Sequence, residues 1–231
     1  MCSSDLANDI EIMAPAGSFE SLSAAIQGGA NSVYFGVGHL NMRARSTVNF
    51  TTEDLPKIID LCNQHNIRTY LTVNTVLYDQ DIKPMQLTID AAAKAGISAI
   101  IASDQAAIFY AREKGLEVHL STQLNISNTQ SLKFYSQWAD VVVLARELSL
   151  TQVAEISRNI YEQNIVGPSG KLIKIELFAH GALCMAISGK CYMSLHQANS
   201  SANRGACLQI CRRSYKVTDN ETDEQLVVEN E

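Results

Sequence analysis

Four cysteines in one stretch carry the strongest chemical pattern in the chain. Cys184, Cys191, Cys207 and Cys211 are separated by six, fifteen and three residues. Thiolates bind soft metals and iron–sulfur clusters, and four of them fill either a tetrahedral zinc site or the corners of a cubane. The spacing differs from the short paired knuckles of most zinc modules. It leans towards a cluster held by loops and leaves zinc open as the alternative metal. Cys62 falls on the apolar face of a helical pattern and reads as a small core residue.

Polar residues recur at the ends of apolar runs. Read in order they include Asn74, Asp104, Ser121 with Gln123, Arg146 with Glu147, and Glu176 with His180. Apolar strands that each finish on a hydrogen-bonding side chain build a polar-rimmed pocket, so Asn74, Asp104, Gln123, Arg146, Glu176 and His180 are the candidate catalytic residues. The plainer alternative is that such residues cap the following helices, as Asp104 would. His119 alternates with Ser121 and Gln123 on one strand face. In HLNMRARSTVNF, Arg43 and Arg45 point the same way in an extended loop and jointly suit a carboxylate or phosphate.

The run Glu176-x-Phe178-x-x-Gly181-Ala182-Leu183-Cys184-x-x-x-x-Gly189-x-Cys191-x-Met193-Ser194 resembles the signature of the collagenase-like family classed as peptidases of unknown catalytic type, family 32. The resemblance extends from the MAPAG segment to Tyr215. It implies oxygen-independent hydroxylation of transfer or ribosomal RNA, uridine to hydroxyuridine in tRNA, with prephenate as co-substrate and a four-iron cluster on four cysteines. It also carries the older alternative of a peptidase acting on peptide substrates. A non-catalytic subunit whose cluster stabilises a binding loop is the third reading. Under the first, Arg43, Arg45 and Arg146 would bind the dicarboxylate, and Arg204, Arg212 and Arg213 would meet RNA phosphate. No GxSxG elbow or zincin helix supports a peptidase mechanism.

Charge is unevenly placed. Residues 1–170 hold 11 Lys+Arg against 17 Asp+Glu, residues 171–217 hold 7 against 1, and residues 218–231 hold none against 6. The cysteine stretch is therefore the basic part of a chain whose net charge is −6, which suits an anionic partner. No apolar run approaches the roughly 20 residues of a membrane span, and the start lacks the features of a signal peptide. A cytoplasmic, membrane-free setting is expected, where six cysteines argue for metal or chemistry rather than disulfides.

The elements that must position these residues are seven β-branched runs: IEIMAP, SVYFG, TYLTVNT, AIIASD, VHLSTQ, VVVLAR and IKIELFAHG. Helical patterns lie between them, opened by Ser18, by the Thr51 and Asp54 pair, and after Pro84, Asp104, Asn128 and Ser149. This alternation predicts an α/β fold, an incomplete TIM-like (β/α) barrel with the cysteine segment after the seventh strand. A doubly wound sheet is less favoured because no GxGxxG follows the first strand. The expected organisation is a barrel portion over 1–180, a cluster segment over 181–217 and an acidic tail over 218–231. An eighth strand would be missing or lie in QLVV near residue 225. A second copy or a further C-terminal part is expected to cover the open side.

Overall fold

The computed structural model describes residues 10–42, 44, 49–181 and 184–228. Seven parallel strands alternate with helices in chain order: β1 Met13–Pro15, α1 Phe19–Gln27, β2 Ser32–Phe35, α2 Leu55–Gln64, β3 Arg68–Val73, α3 Asp79–Ala95 and β4 Ala99–Ala102. They continue as α4 Gln105–Glu113, β5 Glu117–Leu120, α5 Thr129–Tyr135, β6 Val141–Val143, α6 Leu150–Glu162 and β7 Lys174–Glu176. Each strand pairs with its sequence neighbours, giving the order β1-β2-β3-β4-β5-β6-β7. A doubly wound sheet reverses its strand order at a switch point; this one never does, so the architecture is a half-barrel.

All seven apolar runs form the expected strands. QLVV does not supply an eighth. It forms β9 Gln225–Val228, antiparallel to β8 Tyr215–Thr218 in a separate hairpin. The acidic residues Asp219, Glu221, Asp223 and Glu224 lie in its turn, so polar turn residues let the chain reverse before a barrel strand can form.

The alternation of the strands sorts their side chains into two layers. Outward residues such as Val33, Phe35, Leu71, Val73, Ile100 and Leu120 pack beneath the helices, against Leu55, Ile58, Ile59, Met85, Ile89 and Ile108. Inward residues form a smaller apolar group, Tyr70, Ala99 and Ile101, with Met13 and Tyr34 beside it. Cys62 belongs to the outer core, and burial pushes its thiol up to about 11.

Helix starts follow local chemistry. Ser18, Asp104, Asn128 and Ser149 each accept a hydrogen bond from a backbone N–H in the first turn of the helix they precede, the orphan donors that a cap satisfies. The helix expected after Pro84 begins earlier, at Asp79, because Asp81 accepts from the Tyr78 N–H at 2.8 Å and fixes the first turn. Pro84 then lies inside α3.

Candidate functional site

Beside its small apolar cluster, the half-barrel's inner face carries polar groups from floor to rim. At the floor, the strand starts bring Arg68 and Glu117 together at 2.8 Å, and Arg68 also lies 3.6 Å from Glu11. The Tyr70 hydroxyl donates to Glu11. Burial would raise the Glu11 carboxyl, but the Tyr70 hydrogen bond and the Arg68 charge hold it below the usual carboxylate range. Glu117 is also held low, mainly by its hydrogen bond from His119 and against the cost of its burial, with Arg68 adding to the effect.

Above the floor, His119 is 2% exposed, with its ring 4.5 Å from that of Tyr70. Its Nε2 is 3.0 Å from Glu117 Oε1. Its Nδ1 faces Glu176 Oε2 at 4.0 Å. Both atoms are buried and neither has a hydrogen-bond partner. Burial drives the Glu176 carboxyl above the usual range, with Glu11 contributing and His119 opposing.

At the rim, Asn74 is the hub. Its amide nitrogen donates to Ser121 Oγ at 3.1 Å and to Gln123 Oε1 at 3.5 Å, while its oxygen accepts from the Met42 N–H at 3.1 Å. The Ser121 hydroxyl donates to Gln123 Oε1. β5 ends at Leu120 and Thr122–Leu124 is a 3-10 turn, so Ser121 and Gln123 follow His119 past the strand end rather than along its face, and they carry the polar groups from the lumen to the mouth.

The cysteine segment is docked on this mouth. The Asn125 amide donates to the Ser188 carbonyl at 2.9 Å, and Arg146 donates to the Ser188 hydroxyl. Gly189, at φ 71°, lies so close to Gln123 that a Cβ would stand 3.1 Å from the Gln123 Cβ. Gly205, at φ 78°, leaves room for the Asn41 carbonyl, which a Cβ would approach to 2.3 Å. At both positions glycine meets a backbone and a space requirement together. Arg204 donates to Asp81 at 2.7 and 3.3 Å and to the Val76 carbonyl at 2.9 Å, and its guanidinium stacks over Tyr78. The Cys191 N–H donates to Asn203 Oδ1 at 3.1 Å, just ahead of α7 Met193–Ala198. A cleft of about 180 Å³ remains between segment and rim, lined by Asn74, Asp104, Gln123, Gly189 and Asn203. A second, similar opening runs inward past Tyr34, Thr72, Asn74 and Phe178.

Against the sequence expectations, Asn74, Gln123, Arg146 and Glu176 converge on the mouth and lumen. Asp104 lines the cleft, but its carboxylate is engaged by the N–H groups of Ala106 and Leu77, so it acts as a helix cap. His180 is exposed on the loop after β7, away from the buried polar chain. Arg204, expected to meet phosphate, is instead held by Asp81 and anchors the segment. Arg212 and Arg213 are exposed beside Cys211. Arg43 and Arg45 lie outside the described residues. Glu11, Arg68, Tyr70 and Glu117 were not anticipated; a charged residue opening an otherwise apolar strand, as in RTYLTV and EVHL, is the signal that marks two of them.

None of the four cysteines is in a disulfide; Cys184 and Cys207 are exposed, and Cys191 and Cys211 are half-exposed. Among the described residues, no group of three or more His, Cys, Asp or Glu side chains is set around a single metal ion. The donor types suit a soft metal or cluster, but the arrangement does not close around one ion.

Fold and site together define a parallel (β/α) half-barrel with a polar lumen and a cysteine-bearing segment over its C-terminal mouth. The chain belongs to peptidase family U32, whose model matches residues 17–231. It is similar to a protein named collagenase from Porphyromonas gingivalis, 65% identical over 97% of this chain and 54% of that one. It also resembles tRNA hydroxylation protein P1 from Bacillus subtilis, 33% identical over 89% and 46% of the two chains. The 23S rRNA 5-hydroxycytidine C2501 synthase of Escherichia coli is 33% identical over 92% and 30%. The chain thus spans about half the length of the curated relatives it matches, or less. A solved structure described as a U32 peptidase aligns with TM-score 0.52 at 11% identity, over 75% of this chain and 94% of that one, a likeness of fold alone. No helix among the described residues is long and apolar enough to cross a membrane.

Proposed function

We propose that the chain is the catalytic half of an RNA-hydroxylating enzyme, acting on tRNA or rRNA without molecular oxygen and carrying a [4Fe-4S] cluster on Cys184, Cys191, Cys207 and Cys211. The observation that carries the reading is the docking of a thiol-bearing, basic segment over the mouth of a polar lumen. The four thiols belong to one segment and none is in a disulfide, and a cubane holds its thiolates further apart than a single ion does. When bound, the cluster would supply one-electron chemistry next to the cleft. Lys190, Arg212 and Arg213 are exposed on the same segment and suit phosphate contacts. A dicarboxylate such as prephenate is the co-substrate of this reading, and Arg146 supports it: its Nε is buried with no hydrogen-bond partner, an open donor for a carboxylate at the mouth.

A peptidase is the second reading, favoured by the 65% identity to a protein named collagenase. Its difficulty is geometric: the Ser121 hydroxyl, just past the end of the strand that carries His119, is engaged with Gln123 and Asn74 rather than with the imidazole. The two readings are separated by deleting the parent gene, digesting total tRNA and rRNA to nucleosides, and assaying the purified parent protein on denatured collagen. Loss of a hydroxylated nucleoside that returns on complementation supports the first. Collagen cleavage together with an unchanged nucleoside pool would overturn it.

A further inference from the structure

The established relatives do not say where protons move in this fold, and the lumen answers with an unusual arrangement. Glu117 is held as a carboxylate by His119 and Arg68, so His119 Nε2, 3.0 Å from it, carries the proton and donates. In the neutral ring, Nδ1 is then a bare acceptor. It is buried, unpartnered and aimed at Glu176 Oε2, which is equally buried and unpartnered 4.0 Å away. That gap exceeds a hydrogen bond. Two orphaned polar atoms facing each other across it need an occupant, because each unmet group costs about 1–3 kcal/mol.

We propose that His119 Nδ1 and Glu176 Oε2 together bind one hydroxylic oxygen, from water or from a ligand hydroxyl, and exchange a proton through it. Such an oxygen donates to Nδ1 and accepts from the protonated carboxyl. In the transfer, Glu176 gives its proton to the bridging oxygen while that oxygen gives its own to Nδ1. The products are a carboxylate and an imidazolium; the bridging group is unchanged and no other reactant is required. The imidazolium is supported from behind by Glu117, whose carboxylate keeps accepting from Nε2. The raised Glu176 carboxyl supports this starting state.

Among the described residues, the charged and titratable groups facing the pair fit the assignment. Glu11 approaches from the segment just before β1 and Tyr70 from β3, and Arg68 from β3 neutralises Glu11 and Glu117. Lys174, two residues earlier on β7, is exposed. The rim groups Asn74, Ser121 and Gln123 are neutral and lead from the pair to the cleft, so the lumen has a polar route to whatever sits at the mouth.

The proposal deepens the hydroxylase reading, on which only the activity arm of its test rests. The first arm is NMR on the full chain carrying 15N-histidine and carboxyl-13C-glutamate, titrated by pH. Wild-type Glu176 should titrate above the ordinary carboxylate range, and His119 should carry its proton on Nε2 at neutral pH. His119→Gln removes the imidazole that takes up the Glu176 proton, so the Glu176 midpoint should move further up. A Glu176 midpoint in the ordinary range, or a neutral His119 protonated on Nδ1, would overturn the proposal whatever the reaction proves to be. The second arm measures RNA hydroxylation by the parent protein carrying Glu176→Gln. Activity should fall about 100-fold or more, with RNA retention and melting temperature undiminished. If hydroxylation depends on the parent protein but is unchanged by Glu176→Gln, the proton-exchange role is wrong. If no RNA modification depends on the parent at all, the hydroxylase reading fails and the NMR arm alone decides.

Discussion

The guanidinium of Arg204 grips the carboxylate of Asp81 at 2.7 and 3.3 Å, and 123 residues of chain separate the two. Asp81 is buried, and its carboxyl is held below the usual range, first by the Arg204 hydrogen bond. The pair joins the cysteine segment to the start of α3, after β3, whereas the Asn125–Ser188 contact holds it after β5.

Removing one partner should therefore release the segment without melting the barrel. Arg204→Ala leaves a buried carboxylate unmatched, at a cost of about 3 kcal/mol. Limited proteolysis should then cut between residues 184 and 212 while a stable core fragment survives. Arg204→Lys should rescue incompletely, since an ammonium cannot reproduce the two-pronged contact or the stacking on Tyr78. Equal protease resistance in Arg204→Ala and wild type would remove the anchoring role.

Gly205→Ala tests the same docking from the glycine side. The added methyl meets the Asn41 carbonyl at 2.3 Å from a left-handed backbone, so a loss of about 2 kcal/mol in segment stability is expected. Hydrogen exchange at the Val76 N–H, which donates to the Asn203 carbonyl at 3.1 Å, should accelerate. The exchange of β3 should not.

The floor network sets the acid limb of the stability curve. Glu11 and Glu117 have folded-state carboxyls below their unfolded values. Their contribution is thus complete above the unfolded value of about 4.3 and is lost as pH falls through the folded values. Arg68→Ala should cost about 2 kcal/mol near neutrality and flatten the acid limb. Urea unfolding at a series of pH values reads both.

Glu176 has the opposite sign. Its folded carboxyl is raised by burial, so wild-type stability decreases as pH rises from about 4.3 through the folded value. Glu176→Gln removes that loss. The variant should melt at a higher temperature than wild type at neutral pH, and the difference should shrink on acidification. A variant that is less stable at pH 7 would show that the carboxylate is structurally required.

Anaerobic reconstitution with iron and sulfide tests the cysteine assignment. Replacing Cys184, Cys191, Cys207 or Cys211 with Ser should abolish or alter the cluster absorption, whereas Cys62→Ser, inside the core, should leave it intact. Iron uptake unaffected by Cys184→Ser would remove that ligand, and stoichiometric zinc in place of iron would make the site structural.

The seven strands were readable because each is a short β-branched run bounded by a cap or a small residue, and this chemistry is local. Asn74, Ser121 and Gln123 were readable for the same reason, as the polar ends of strands. The floor was not. Whether Arg68 meets Glu117 depends on the stagger between β3, β4 and β5, where Ala99 lies opposite both Tyr70 and Glu117, and no single strand encodes that offset. Arg204 misled because an exposed-looking basic residue in a basic stretch gives no hint of a carboxylate far away in the chain. QLVV misled because its strand character is real, and only its pairing with β8 decides which sheet it joins.

The contacts that hold the cysteine segment span 42 residues from Arg146 to Ser188, 63 from Asn125 to Ser188 and 128 from Val76 to Arg204. Contacts of such separation close long loops and form late in folding. The segment that carries the cysteines should thus dock only after the ends of β3, β5 and β6 have found their register. Substitutions at Arg204 or Gly205 should then speed unfolding and leave the folding rate nearly unchanged, which makes loading of the segment a kinetic checkpoint on an already assembled barrel.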